Sequence, residues 1–194
     1  MGKGLHPGEA MIVEVILSTL SSNGEPNFAP MGVVWGEEEI TVRPFRNTQT
    51  FRNLVATKCG VASVTDDVLA FARSALEDAC LPHFPARSIP GIVFQGCCYW
   101  RELEVMAIEE GEERAEVHCR VVEKGWQRDF LGFNRARNAV IEAAILATRM
   151  NLIPREEALT LLERYAEIVR KTGDEPEGVA FELVRQYIIK GGKT

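Results

Sequence analysis

The segment Ile40-Thr-Val-Arg-Pro-Phe-Arg-Asn-Thr-Gln-Thr-Phe-Arg-Asn-Leu54 concentrates groups that can hold a small anion. Arg43, Arg46 and Arg52 fall within ten residues with no carboxylate between them, in a chain of net charge −6. The pattern runs from strand through a hydroxyl-rich turn to a helix start. A helix N-terminus offers unpaired N–H groups and the positive end of the helix dipole, which suits a phosphate. Thr48 and Thr50 add hydroxyl donors, and the guanidinium fork matches phosphate oxygens. The same residues also suit a plain helix cap, with Thr48 or Thr50 at the N-cap and the arginines solvated.

A second constellation is Pro26-Asn-Phe-Ala-Pro-Met-Gly-Val33. Pro30 cannot donate to a ladder, so this strand is expected at an edge or a bulge. Unpaired backbone groups there could bond the rim of a flat heterocycle, and Gly32 would allow close approach. An ordinary bulged edge strand reads the same way. Asp66-Asp67 offers either a contact to a ligand or the N-cap of the next helix. His83 lies in a proline-rich loop, and His6 and His118 have no partner pattern. Trp100 and Trp126 read as core before they read as stacking groups. Arg135, Asn138, Glu142 and Arg149 form one narrow stripe on an otherwise apolar segment, which favours a buried structural network.

The elements that must position these groups follow from periodicity and turn residues. Strands are predicted at Met11–Leu20, Phe28–Trp35, Ile40–Phe45, Gly60–Thr65, Cys97–Ile108 and Arg114–Lys124. Asn23-Gly24 marks a hairpin turn. A short helix is expected over Thr50–Lys58, and helical spacing covers residues 68–80. Leu81–Gly91, with three prolines, reads as a loop. Composition then changes near residue 130: helices are expected over Asn134–Met150, buried in the core or a subunit interface, from Pro154 at its first position to Thr172, and over Glu177–Lys190. The organisation is therefore a β-rich unit at 1–130 with a short helical insertion, and a helical segment at 131–194 packing on it or at a subunit interface.

Composition narrows the function classes. Apolar residues make up 46% and charged residues 26% of 194 residues, enough for a sizeable core. The acidic balance argues against a nucleic-acid partner, which needs a basic footprint. No apolar run reaches membrane-spanning length, and Met11–Leu20 lacks the pattern of a signal peptide; a cytoplasmic protein is expected. The five cysteines show no zinc spacing and read as buried free thiols, with Cys97 and Cys98 on opposite faces of one strand.

The order of hairpin, Asn-Phe-Ala-Pro-Met-Gly, a strand ending in Arg-Pro-Phe, Thr-x-Thr-x-x-Asn-Leu and a strand ending in Thr-Asp-Asp resembles the FMN-binding split-barrel superfamily. Within it the chain is most similar to a largely uncharacterised archaeal and bacterial family, a domain of unknown function. Phe133-Asn-Arg-Ala-Arg137, Val140-Ile-Glu-Ala143 and Ala147-Thr-Arg149 extend the resemblance over most of the chain. It implies a six-stranded antiparallel split barrel, mainly β with helices, and FMN as cofactor. It places the phosphate on Arg43, Arg46, Thr48 and Thr50 with Asn53 nearby, and the ring against Ala29, Pro30, Met31 and Gly32; Asn27, Asn47 and Asp66 are counted among the flavin-binding residues with them. It also implies a homodimer with each flavin at the subunit interface. The implied function is an FMN-dependent oxidoreductase of the flavin-reductase kind on a small substrate, with NAD(P)H as a transient donor, since no G-x-G-x-x-G motif is present. A flavin-binding module without catalysis (carrier, sensor or assembly factor), or a barrel holding deazaflavin or haem, remains open beside it.

Overall fold

The computed structural model describes residues 11–191, so His6 and Gly192 lie outside the described residues. Six strands close into one antiparallel barrel: β1 (Ile12–Leu20), β2 (Pro26–Trp35), β3 (Glu39–Val42), β4 (Cys59–Val64), β7 (Tyr99–Glu110) and β8 (Ala115–Trp126), in the order β1-β2-β3-β8-β7-β4. The expected six-stranded barrel is the fold observed. A two-stranded hairpin pairs β5 (His83–Pro85), inside the segment read as a loop, with β6 (Ile92–Phe94), just beyond it. Its strands are three residues each, too short for alternation to register. The helices are α1 (Gln49–Thr57), α2 (Val68–Leu76), α3 (Arg135–Ala147), α4 (Arg155–Thr172) and α5 (Glu175–Ile189).

The run Val15–Thr19 is buried on both faces, which is why β1 reads as continuously apolar and not as an alternating strand. Val15 and Leu17 point into the barrel, against Val33, Ile40 and Leu103. Ile16 points outward into a second core shared with α2, α3 and α5, around Trp100, Phe71 and Val184. The helices thus cover one outer wall of the barrel. Gly125 shows how tightly: a Cβ there would lie 2.0 Å from the Trp100 ring, which crosses the strand at that point.

Several boundaries differ from expectation. The β1–β2 register runs without interruption from Ile12↔Val34 to Leu20↔Pro26, so Pro30 marks an edge and no bulge. β3 stops at Val42 and not at Phe45. α2 ends at Leu76, where Glu77 turns extended, four residues short of the spacing pattern. Pro154 is the N-cap of α4, one place before its first helical residue. α5 starts at Glu175, capped by Asp174 in a reciprocal box with Glu177. The α3 stripe is exposed at Arg135, Asn138, Glu142 and Arg149, contrary to a buried network, because α2, α4 and α5 take only the apolar face. Cys97 and Cys98 are both buried in the turn before β7, not on a strand, and Cys80 is exposed while the other four thiols are buried. Among the described residues no helix is long and apolar enough to cross a membrane.

Candidate functional site

The arginine-rich turn joins β3 to α1 at one end of the barrel. Thr48 is the N-cap of α1: its hydroxyl accepts from the Phe51 amide at 3.3 Å and donates to the Phe45 carbonyl at 2.7 Å. The amides of the first helical turn have no intrahelical acceptor. Arg43 pairs with Glu116 at 3.0 Å and Arg46 with Glu110 at 2.6 Å, all four side chains being between 44% and 49% exposed. Arg52 folds back on the Asn47 carbonyl and the Gln49 amide oxygen. Arg114 lies 3.7 Å above the Phe45 ring and donates to the Arg43 carbonyl. The β7–β8 hairpin tip therefore supplies both an extra cation and the two carboxylates that hold Arg43 and Arg46. Asn47 is exposed on the same turn.

Thr50 and Asn53 face inward instead. Asn27 donates to Thr50 Oγ1 at 3.1 Å and to Thr19 Oγ1 at 3.2 Å, and Asn53 donates to Thr19 Oγ1 at 3.0 Å. Gln49 donates to Asn53 Oδ1 at 2.6 Å. Thr19, Thr50 and Asn53 are almost fully buried. Such groups are stable there only because each finds a partner. This knot pins α1 across the ends of β1 and β2, so Thr50 and Asn53 position the turn while Arg43 and Arg46 stay half-exposed.

β2 leads away from the knot. The Trp35 amide donates to the Met11 carbonyl, so by antiparallel alternation Trp35, Val33, Met31, Ala29 and Asn27 direct backbone groups to β1. Phe28, Pro30 and Gly32 direct theirs the other way. β3 pairs there only with Val34 and Trp35, so no strand lies beside that edge from Phe28 to Gly32. Pro30, with no N–H, sits where a donor is not needed. Ala29 and Met31 carry their side chains into the barrel, opposite Leu17 and Val15. Gly32 answers a packing need on the outer face: a Cβ would lie 2.7 Å from Ile12 Cγ2 and 3.0 Å from Glu14 Oε1. The Glu14 carboxyl is pushed up by burial and by the nearby Glu142 charge, with Arg149 pulling the other way.

Asp66 is placed elsewhere. It is buried, with Oδ1 bound by Arg128 at 2.5 Å and by the Cys98 thiol at 3.7 Å, and Oδ2 by Arg137 at 3.0 Å and the Leu131 amide at 3.2 Å. Arg137 continues to Glu177 at 2.8 Å. Asp67, not Asp66, caps α2 through the Ala70 amide. Burial alone would raise the Asp66 carboxyl; the bonds from Arg128 and Leu131 and the two arginine charges more than offset it and hold it below its ordinary range. His83 is exposed in the hairpin against Phe28, and His118 is paired with Thr41 and Glu109 on the barrel wall.

The structure thus brings Asn27, Arg43, Arg46, Asn47, Thr48, Thr50 and Asn53 together at one barrel end, leaves β2 without a paired strand beside Phe28, Pro30 and Gly32, and holds Asp66 in a set of bonds of its own. Sequence reasoning missed Thr19, Phe28, Arg114, Glu110 and Glu116. The β7–β8 residues come from a strongly acidic turn whose contact with the arginines depends on barrel closure.

The N-terminal-domain model of a protein family of unknown function, DUF447, matches residues 13–128, and the second DUF447 model matches residues 134–186. An FMN-bound protein of that family from Methanosarcina mazei is 26% identical, with a TM-score of 0.80 over 92% of this chain and 95% of that one. More distant barrels share the fold alone: component B of nitrilotriacetate monooxygenase from Bacillus cereus (18% identity, TM-score 0.51, 61% of this chain and 72% of that one), and flavoredoxin of Desulfovibrio vulgaris (13% identity, TM-score 0.50, 66% and 77%). No curated protein matches the chain.

Proposed function

The chain belongs to the DUF447 family of proteins of unknown function, and from that premise we propose that it is an FMN-binding flavoprotein acting as an oxidoreductase on a small substrate. The observation that carries the reading is a continuous track. An arginine-bearing helix N-terminus is tied by the Asn27–Thr50 bond to a strand edge with no paired strand from Phe28 to Gly32. The FMN-bound relative from the same family supports the choice of ligand.

The residues present fit a phosphate at one end and a flat, polar-rimmed ring at the other. Arg43 and Arg46 hold the phosphate by exchanging Glu116 and Glu110 for it. Exposed ion pairs of that kind are worth only about 0–1 kcal/mol, whereas charge-assisted bonds to a dianion are worth more. The first amides of α1, with Thr48 fixing the cap and Asn47 beside it, complete the anion site. The outward N–H of Phe28 and of Gly32 and the carbonyl of Pro30 would bond the polar rim of the ring, and Ala29 and Met31 back that strand from inside the barrel. Thr50, Asn53 and Thr19 hold the turn in place. Asp66 fixes the segment between β8 and α3, both its oxygens being occupied. Bound FMN would supply hydride or single-electron chemistry at its ring.

A second copy of the chain is the proposed partner. Phe130, Leu131 and Phe133 stand exposed on the loop before α3, Phe133 at 98%, and an apolar group of that kind marks an association surface. NADH or NADPH is the proposed transient donor. Anaerobic addition of each to the FMN-loaded protein should bleach the flavin bands within turnover time. A flavin that stays oxidised under both would replace the oxidoreductase reading with a flavin-binding module.

A further inference from the structure

The barrel has a second open end, opposite α1, whose inner face changes character. Between Glu102↔Glu123 and Leu103↔Val121 the β7–β8 register skips Val122, a β-bulge. A bulge inverts which side chains face inward beyond it. Val121, Cys119 and Val117 line the interior before it; after it Lys124 and Trp126 take the inner face, opposite Arg101 and Tyr99. Trp35, at the last residue of β2, closes the ring.

The result is a cleft of about 390 Å³ lined by Trp35, Glu37, Tyr99, Arg101, Lys124 and Trp126, with Gly125 between the last two. Its size falls in the range of small-molecule sites. The Arg101 guanidinium lies 5.4 Å from the Trp35 ring centre and 5.5 Å from that of Tyr99, and the two rings meet edge to face at 6.2 Å. Trp126 stands 65% exposed on the far side. Arg101 gives one bond to the Trp100 carbonyl, while its Nε is buried and makes no hydrogen bond. A buried donor with no acceptor is uncommon and calls for one. Glu37 and Glu38 on the rim are held by Lys124 at 3.3 and 2.9 Å, and among the described residues Arg101 makes no ion pair.

We propose that this mouth is a binding site for a planar aromatic carboxylate, separate from the flavin track. The guanidinium takes the carboxylate in a two-pronged bond, supplying the acceptor that Nε lacks. The rings of Trp35, Tyr99 and Trp126 take the aromatic face. A tetrahedral anion would satisfy the charge and leave the rings unused.

The chain offers its own reporter: of three tryptophans, two line the cleft and the third, Trp100, is buried elsewhere. Benzoate is titrated into the purified protein, as isolated, while tryptophan fluorescence is followed. Saturable quenching is expected, with cyclohexanecarboxylate binding several-fold more weakly. Arg101→Gln should weaken benzoate by about tenfold or more, the loss of a charge-assisted pair. Circular dichroism checks that this variant folds; if it does not, Trp126→Leu on the exposed rim replaces it, with several-fold weakening expected. Quenching that stays linear, benzoate affinity unchanged in the folded Arg101→Gln or in Trp126→Leu, or equal affinity for cyclohexanecarboxylate would each overturn the proposal. Because neither variant touches the Arg43–Asn53 turn, the outcome is independent of FMN affinity.

Discussion

Arg137 and Arg46 both sit in ion pairs below 3.1 Å, and they differ in what surrounds them. Arg137 is 21% exposed and its partners Asp66 and Glu177 are 5% and 6% exposed. Arg46 and Glu110 are 44% and 49% exposed. In the first case water cannot replace a lost partner, so the network locks α3 and α5 to the end of β4. In the second, water or another anion can take the place of either group at little cost. The contrast separates arginines that build the molecule from arginines that are free to exchange partners, and it is the exchangeable pair that belongs at a ligand site.

The largest effect should come from breaking the buried set. Arg137→Gln leaves Asp66 and Glu177 short of their cation, and the loss should be about 3–5 kcal/mol in denaturant unfolding, with the folded fraction still binding FMN as before. Acid should reach the same network. Burial raises both carboxyls, but arginine and amide bonds more than reverse this, so each sits below its ordinary value of 3.8 for Asp66 and 4.5 for Glu177. A depressed folded-state pKa means the unfolded chain takes up protons first. Stability present above pH 4.5 is therefore lost as pH falls through these values and below them. The acid slope of the melting temperature should flatten in Arg137→Gln. A variant as stable as the parent, with the same slope, would remove the distinction.

The exposed pairs should behave in the opposite way. Arg43→Gln with Arg46→Gln should leave unfolding within about 1 kcal/mol of the parent. It should weaken FMN by about 2–4 kcal/mol, the scale of lost bonds to a charged group, read by quenching of flavin fluorescence. The smallest effect is the sharpest. Removing the competing carboxylates, Glu110→Gln with Glu116→Gln, should tighten FMN by up to about 1 kcal/mol. Weaker binding in that variant would mean that the carboxylates orient the arginines and do not compete for them.

How legible all this is in the sequence depends on range. Strands β1 and β2 announce themselves by apolar runs and the Asn23-Gly24 turn, because those signals are local. The Arg43–Asn53 turn is legible for the same reason. What local pattern cannot divide is the turn's own residues. Thr50 and Thr48 look alike as hydroxyl donors, yet Thr50 is buried by Asn27 and the knot is completed by Thr19, 34 residues before Asn53. Asp66 and Asp67 are likewise adjacent and chemically identical, and separate only when Arg128 and Arg137 arrive from 62 and 71 residues away. The barrel mouth is not legible, since a one-residue register shift at Val122 decides whether Lys124 and Trp126 face in or out, and Trp126, expected in the core, stands 65% exposed there.

The central claim is that the β3–α1 turn and the free edge of β2 hold FMN. Its most direct test is the visible absorption spectrum of the purified protein after addition of FMN and exhaustive dialysis. The account predicts a retained two-band flavin spectrum at one FMN per chain. A protein that emerges colourless would contradict it and leave the Arg43–Asn53 turn as a helix cap with solvated arginines.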